Sequence, residues 1–297
     1  MSGIAYLGPP GSYSEIAALV WGDAATPLLP LATMPAVVTA VETGAARHGV
    51  LPIENVLEGG VTTTLDLLIH ETALRISGET VVPVRHVLVA RAGMQLPQVR
   101  VLYGHPQSLG QCRRFIERVL PGVATVASLS NSTAPVEALA DERGAAAIST
   151  ERAAVLAGAT VIARDIQDRA ENVTRFIRLS HTDHPPTGDD KTSLCFGFSE
   201  RDRPGILVDA LLEFSSVGLN ITRLESRPSK DVLGGYIFLV DLNGHRTDAP
   251  VAAALERVRC RVGLLKIFGS YPCWHASANA APAATTRAGG TAAADTP

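Results

Sequence analysis

At roughly 100–200 residues per domain, a chain of 297 residues asks for two domains and excludes one small module. Hydrophobic residues make up 46% and charged residues 19%, far from the low-hydrophobicity, high-charge composition that keeps a chain disordered. The 26 basic residues nearly balance the 29 acidic ones, so the charge points to neither a nucleic-acid nor an anionic-membrane partner.

The opening residues MSGIAYLGPPGSYSE have no basic segment, apolar run or small-residue cleavage site of a secretory signal. No uncharged apolar run approaches the ~18 residues that a membrane span needs, and the protein is expected to be soluble and cytoplasmic. Cys112, Cys195, Cys260 and Cys273 are too scattered for a zinc-binding pattern and read as reduced thiols, with no metal expected.

The first 180 residues alternate short apolar runs with amphipathic stretches, the pattern of an α/β domain. Ile4–Leu7 predicts a strand, and Ser12 with Glu15 predicts a capping box that opens a helix through Trp21. Pro35–Arg47 reads as a helix, Gly49–Ile53 as a strand, Thr64–His70 as a helix and Val81–Ala90 as one long strand. A second α/β unit follows. Val99–Tyr103 is a strand, Pro106 opens a helix to about Leu120, and Val123–Ala127 is a strand. Ser132 or Thr133 caps a helix through Asp141, Ala145–Ile148 is a strand, Thr150–Leu156 a helix and Val161–Ala163 a strand. Val173–Leu179 closes the region. Two lobes, 1–90 with the closing segment and 91–172, are expected in a bilobal shape like periplasmic binding proteins. Ligands of open α/β sheets bind beyond the carboxyl ends of strands, so the cleft between the lobes is the expected site.

Residues 181–192, HTDHPPTGDDKT, read as a linker. Beyond it, strands at Ser193–Ser199, Asn220–Arg227, Tyr236–Leu242 and Leu264–Tyr271 and helices at Pro204–Ser216 and Ala249–Arg259 give the order βαββαβ, a ferredoxin-like unit over 193–272. The Ala-rich residues 273–297 are expected to be disordered.

Four segments place polar residues at strand ends and helix starts. In Gly8–Ser14, glycines allow close backbone approach, and Gly11, Ser12 and Ser14 open a helix whose donors suit an anion. Pro52-Ile53-Glu54-Asn55 ends a strand in a Gly-containing turn, where a carboxylate and an amide are ligand contacts or satisfied structural groups. His105-Pro106-Gln107 opens a helix, and a lone histidine there is more often a cap. In Glu171-Asn172-Val173-Thr174-Arg175-Phe176, a hydroxyl and a carboxylate-matching fork stand side by side. Alternation sends them to opposite faces unless a bulge or strand end intervenes.

Together, Gly8–Ser14, Pro52–Asn55, His105–Cys112 and Thr174–Phe176 resemble, in order and spacing, the motifs of the prephenate dehydratase catalytic region: GPxG(S/T)(Y/F)S, PIEN, HPQxLxQC and TRF. The later unit resembles an ACT regulatory domain, with Pro204-Gly205-Ile206-Leu207-Val208 at the GALV position and Glu225-Ser226-Arg227-Pro228 as ESRP. The resemblance covers about residues 3–272. It implies a cofactor-free conversion of prephenate to phenylpyruvate with loss of water and carbon dioxide, inhibited by L-phenylalanine, in a dimer or tetramer.

Thr174 is then implied to be catalytic, as a preorganised donor to the departing oxygen. Gly11, Ser12, Ser14, Asn55, Gln107, Arg175 and Phe176 are implied to contact substrate, although Arg175 could instead brace the lobes. Arg203, Pro204, Gly205, Ile206, Leu207, Val208 and Asn220 are implied to hold the effector at a dimer interface, supported by Glu225 and Ser226. Val56 stands where the family has Ser or Thr, and Ile206 where it has Ala. Arogenate as substrate and a decarboxylase that keeps the ring hydroxyl remain open, as does a non-catalytic small-molecule sensor, a reading of another class.

Overall fold

The computed structural model describes residues 3–23, 25–198, 203–230 and 235–276. Part of the expected disordered tail, 277–297, and Gly234 of the expected turn lie outside them. The first lobe runs β1 (Ile4–Leu7), α1 (Tyr13–Leu19), β2 (Leu28–Leu31), α2 (Met34–Glu42), β3 (His48–Asn55), β4 (Gly59–Gly60), α3 (Thr62–Asp66) with a wide turn at Leu67–Glu71, and β5 (Arg75–Pro83). The second runs β6 (Val87–Ala90), β7 (Val101–Gly104), α4 (Pro106–Gln111), α5 (Arg113–Val119), β8 (Ala124–Ala127), α6 (Ala134–Ala140), β9 (Ala145–Ser149), α7 (Glu151–Ala157) and β10 (Thr160–Ala163). β11 (Val173–Ser180) then returns to the first lobe. Its sheet has the order β2-β1-β3-β11-β5, with β4 on β3, and the second lobe's sheet the order β10-β6-β9-β7-β8.

The apolar run 81–90 is not one strand. Pro83 has no N–H for a ladder, β5 ends there, and residues 84–86 carry the chain into the other lobe's sheet. Residues 164–172 carry it back. The crossings are laced together: Val84 N–H donates to Asn172 O at 2.8 Å, Ile166 N–H to His86 O at 3.1 Å, and His86 N–H to Gln167 Oε1 at 2.9 Å. Two further elements depart from the sequence reading. Leu28–Leu31 forms a strand, and the helix expected from Pro106 to Leu120 breaks at Cys112. There the carboxylate of Asp168, on the return crossing, accepts from Arg114 N–H at 3.1 and 3.2 Å. A residue 54 positions away thus supplies the helix cap.

The C-terminal unit is β12 (Asp190–Gly197), α8 (Ile206–Ser215), β13 (Ile221–Pro228), β14 (Tyr236–Asn243), α9 (Ala249–Arg259) and β15 (Leu264–Pro272), with sheet order β13-β14-β12-β15. This is the expected βαββαβ order. The first strand starts three residues early, since Asp190–Thr192 of the expected linker lie in β12. One sheet face packs on α8 and α9 through Leu194, Phe196, Phe214, Val240 and Val258. The other lies on the first lobe, where Cys195, Ile237, Leu239, Phe268 and Tyr271 join Leu65, Leu68, Ile76 and Ile177 in one core. β15 approaches β5 so closely that a Cβ on Gly269 would collide with the Ile76 carbonyl.

Among the described residues no helix is long and apolar enough to cross a membrane. Cys112 and Cys195 are buried free thiols, and burial pushes each up to about 12.

Candidate active site

The carboxyl end of β3 and the start of β11 lie side by side. Thr174 pairs with Asn55 and Arg175 with Glu54, but Phe176 pairs with Pro52, so the extra residue of the bulge is Ile53 on β3. The Asn55 amide is held at both ends. Its Nδ2 donates to Thr174 Oγ1 and Asn172 Oδ1, both at 2.9 Å, and to Val173 O at 3.1 Å. Its Oδ1 accepts from Leu57 N–H at 3.0 Å and Glu58 N–H at 3.2 Å. That last pair caps the turn which a hydroxyl at position 56 could also cap, and Val56 is exposed.

Thr174 Oγ1 therefore accepts a hydrogen bond. Among the described residues its own O–H donates to no side chain or carbonyl, which leaves a half-buried hydroxyl with its proton available. Accepting from an amide polarises a hydroxyl and strengthens it as a donor.

From Asn172 the polar chain crosses to the second lobe. Asn172 Nδ2 donates to Gln111 Oε1 at 3.4 Å, His86 Nε2 lies 2.9 Å from the same oxygen, and Gln111 Nε2 reaches Glu58 Oε1 at 3.5 Å. Gln107 Nε2 also donates to Glu58 Oε1, so a carboxylate of the first lobe meets two amides of α4. Burial lowers the His86 pKa against the opposing pull of Gln111. The neutral ring then donates from Nε2 to Gln111. Leu57, Gly110, Gln111, Gln167, Asp168, Arg169 and Asn172 line an open cavity of about 210 Å³. Arg169 is exposed and forms no ion pair among the described residues.

Asn55 thus contacts Thr174 directly, and Gln107 is linked to Asn55 through Glu58. Others of the expected contacts do not join this group. Gly11 N–H donates to the Glu15 carboxylate at 2.5 Å, and Gly11 O accepts from Thr150 Oγ1 at 2.6 Å. Ser12 N–H donates to Pro9 O at 3.3 Å. Ser12 Oγ accepts from Glu15 N–H at 3.3 Å and donates to Leu7 O at 3.2 Å. Only half of the capping box forms. Ser14 is buried in the first turn of α1. The anion-cradle reading of Gly11 and Ser12 is therefore corrected: their donors are used within the chain, and the segment fastens one lobe to the other. A Cβ on Gly11 would stand 2.7 Å from Ala153 Cβ, and Arg152 pairs with Glu15 at 3.1 Å.

Arg175 turns away from the cleft. Its guanidinium lies 2.8 Å from Asp241, 3.1 Å from Glu79 and 3.3 Å from Glu54. The bulge residue sits on β3, so nothing rotates β11, and alternation sends Thr174 and Arg175 to opposite faces. This replaces the substrate-fork reading: Arg175 braces the first lobe against the C-terminal sheet. Phe176 is 2% exposed and packs with Tyr6, Ala17 and Val82, a core position under α1 and not a cleft wall. Glu58 and Arg169 were passed over by the motif reading. Glu58 stands four residues after Glu54 and could have been weighed with it, but nothing local marks Arg169.

In the C-terminal unit Gly205 caps α8 at φ +86°, with no side-chain cap. Arg203 pairs with Asp209 at 2.7 Å. Pro204 and Val208 are exposed, and Ile206 and Leu207 half-buried. Glu225 pairs with Arg223 at 2.5 Å, and its carboxylate lies against Gly60 of the catalytic lobe. Ser226 is exposed on the edge strand β13. Asn220 is exposed at the opposite end of the sheet, its carbonyl accepting from Asn243 N–H at 3.0 Å. One copy therefore does not bring Asn220 to the start of α8.

The family model described as prephenate dehydratase matches residues 4–184. The chain belongs to the prephenate dehydratase family. As a prephenate dehydratase-family protein it is an enzyme of the carbon–oxygen lyase class, and its residues 198–260 match the ACT domain. A bifunctional chorismate mutase/prephenate dehydratase of Aquifex aeolicus is 40% identical over 270 residues, 91% of this chain and 73% of that protein. The solved structure of Arthrobacter aurescens prephenate dehydratase in complex with L-Phe is 35% identical. It superposes with a TM-score of 0.82, covering 91% of this chain and 90% of that one. A structure described as a quorum quenching acylase, GqqA, is 30% identical with a TM-score of 0.79, covering 91% and 98%.

Proposed function

We propose that the chain converts prephenate to phenylpyruvate, with Thr174 as the hydrogen-bond donor to the departing oxygen. The observation that carries this is the Asn55–Thr174 pair, joined to the cavity wall through Asn172: the amide occupies the hydroxyl's acceptor side at 2.9 Å and leaves its proton for a ligand. In the reaction the bond from the ring to its carboxylate breaks, the electron pair moves through the ring, and the C–O bond opposite releases hydroxide. One proton joins that oxygen, and carbon dioxide, water and the phenylpyruvate anion leave. Aromatisation drives the step. The barrier lies in separating charge at the oxygen, where a fixed donor acts on the transition state more than on the substrate. Thr174 is too weak an acid to protonate outright at neutral pH, so it stabilises the leaving oxygen or relays a proton.

Gln107 and Gln111 orient the substrate, and Arg169 is the cavity cation for one of its carboxylates. The motif assignment of Arg175 to that task passes to Arg169 in this reading. The ACT domain binds L-phenylalanine and lowers turnover. The distance between Asn220 and Arg203–Val208 supports an effector site completed by a second copy, and the L-Phe complex of the Arthrobacter relative supports that ligand. Purified chain incubated with prephenate, and separately with arogenate, tests the reading. Phenylpyruvate from prephenate is expected, and its rate falls as phenylalanine is added. No product from either substrate would refute the enzyme reading, and phenylalanine formed faster from arogenate would reassign the substrate.

A further inference from the structure

The charged groups behind the active site form an array spanning the two domains, buried at Glu79, Asp241 and Arg175 and partly exposed at Glu54 and Glu225. The catalytic lobe contributes Glu54, Glu79 and Arg175, and the ACT sheet contributes Lys191, Arg223, Glu225 and Asp241. Arg175 lies 2.8 Å from Asp241 and 3.3 Å from Glu54, Arg223 stands 3.8 Å from Glu54, and Lys191 2.6 Å from Glu79. Glu54 precedes Asn55, and Arg175 follows Thr174. The pairs Glu54–Arg175 and Asn55–Thr174 are consecutive rungs of one ladder. We propose that the Asp241–Arg175–Glu54–Arg223 array is a positioning element through which the ACT sheet sets the Asn55–Thr174 geometry, so that moving this sheet alters turnover rather than substrate binding. This rests on the reading of Thr174 as the residue that acts on prephenate.

The array is poorly suited to be glue. Asp241 is buried and its Oδ2 makes no well-formed hydrogen bond, nor do Nε and Nη2 of Arg175. Charges removed from water recover their desolvation cost only when geometry and hydrogen bonding are good. The interface has a stronger adhesive beside it in Ile237, Leu239, Phe268 and Tyr271, all buried against the catalytic lobe, where removing large apolar side chains from water is favourable. What the array has that the apolar contacts lack is direction. Its partners converge on Glu54 from three sides: Arg175 on the next strand, Arg223 on β13, and Gly60, which pairs with Glu54 across the β3–β4 ladder and carries the Glu225 carboxylate against it. Glu225 lies in the ESRP segment assigned to the effector site. A shift of β13 on ligand binding therefore reaches Glu54, the residue next to Asn55, through one ionic contact, the Arg223 pair at 3.8 Å, and through the Glu225 carboxylate packed against Gly60. Two arrangements of such an array could be biased from the effector side, since a ligand shifts an equilibrium only by its differential affinity for the two states.

Asp241→Asn tests this, because it removes one charge and keeps volume and the oxygen that accepts from Ser193 at 2.6 Å. Wild type and variant are compared for kcat and KM with prephenate, for phenylalanine affinity by calorimetry, and for melting temperature. A displacement of about 1 Å can lower a rate on the order of 100-fold. The expected result is a kcat reduced about 10- to 100-fold, KM within twofold, and phenylalanine bound with unchanged Kd but without effect on kcat. A variant that is only less stable, with wild-type kcat and normal inhibition, overturns the proposal. If Asp241→Asn does not fold, Arg223→Gln on the edge strand is expected to weaken inhibition severalfold at unchanged phenylalanine Kd, and normal inhibition there overturns it equally. Wild type inert toward prephenate defeats the underlying reading and the coupling with it. Active wild type with variants that keep its kcat and its inhibition by phenylalanine defeats the coupling alone.

Discussion

Replacing Thr174 by Val isolates the hydroxyl. Valine keeps the branched shape and is at home in a strand, so β11 should retain its pairing with β3 and β5. The stability cost is small and can be worked from the contacts. The substitution removes the 2.9 Å acceptor of Asn55 Nδ2, yet that nitrogen keeps Asn172 Oδ1 at 2.9 Å and Val173 O at 3.1 Å. With no buried donor orphaned, the loss is that of one ordinary hydrogen bond, ~0.5–1.5 kcal/mol, or a few degrees of Tm in a chain of this size. The catalytic cost is larger, because a preorganised donor to a developing oxyanion contributes about 2.7–4 kcal/mol, on the order of 100- to 1000-fold in kcat. Phenylpyruvate release under saturating prephenate, with Tm measured on the same preparation, separates the two. Thr174→Ser keeps the hydroxyl, frees its rotamer, and should lie between wild type and Val. A valine variant within about threefold of wild-type kcat would remove Thr174 from the mechanism whatever its Tm.

Arg169→Gln takes the exposed guanidinium from the cavity wall and should raise KM for prephenate about tenfold, the lower end for a charged hydrogen bond, with kcat within threefold; an unchanged KM refutes the carboxylate contact. Gly269→Ala places a methyl into the Ile76 carbonyl and should cost ~1–3 kcal/mol by overpacking, seen as a Tm lowered by several degrees, and an unchanged Tm would mean β15 and β5 are farther apart. Burial first, then Arg178 and Arg47, lower the His48 pKa from 6.5 to about 4. Between those values the unfolded chain takes up a proton that the folded chain refuses, so stability should fall as pH drops through that window. Denaturation midpoints at pH 7.5 and 5 should differ more for wild type than for His48→Gln, and equal differences refute the assignment.

The amino-acid order alone carried the α/β lobes and the ferredoxin-like βαββαβ unit, while the grouping of Asn55, Gln107 and Thr174 in one site came from the motif resemblance. Those features rest on local rules: side-chain period along an element, capping at helix starts, and motifs whose residues sit at strand ends. The residues the sequence could not place are those whose surroundings come from elsewhere in the chain. Val81–Ala90 reads as one apolar strand because periodicity cannot show that its halves join different sheets. The helix break at Cys112 needs the Asp168 carboxylate from the return crossing. Alternation predicted that Thr174 and Arg175 would face apart. Only tertiary packing decided that the face behind Thr174 is covered by the ACT sheet, so that Arg175 meets Asp241 and Glu79 there instead of a substrate carboxylate. A guanidinium goes where its counter-charges are, and those charges belong to strands distant in sequence, Glu79 lying 96 residues away.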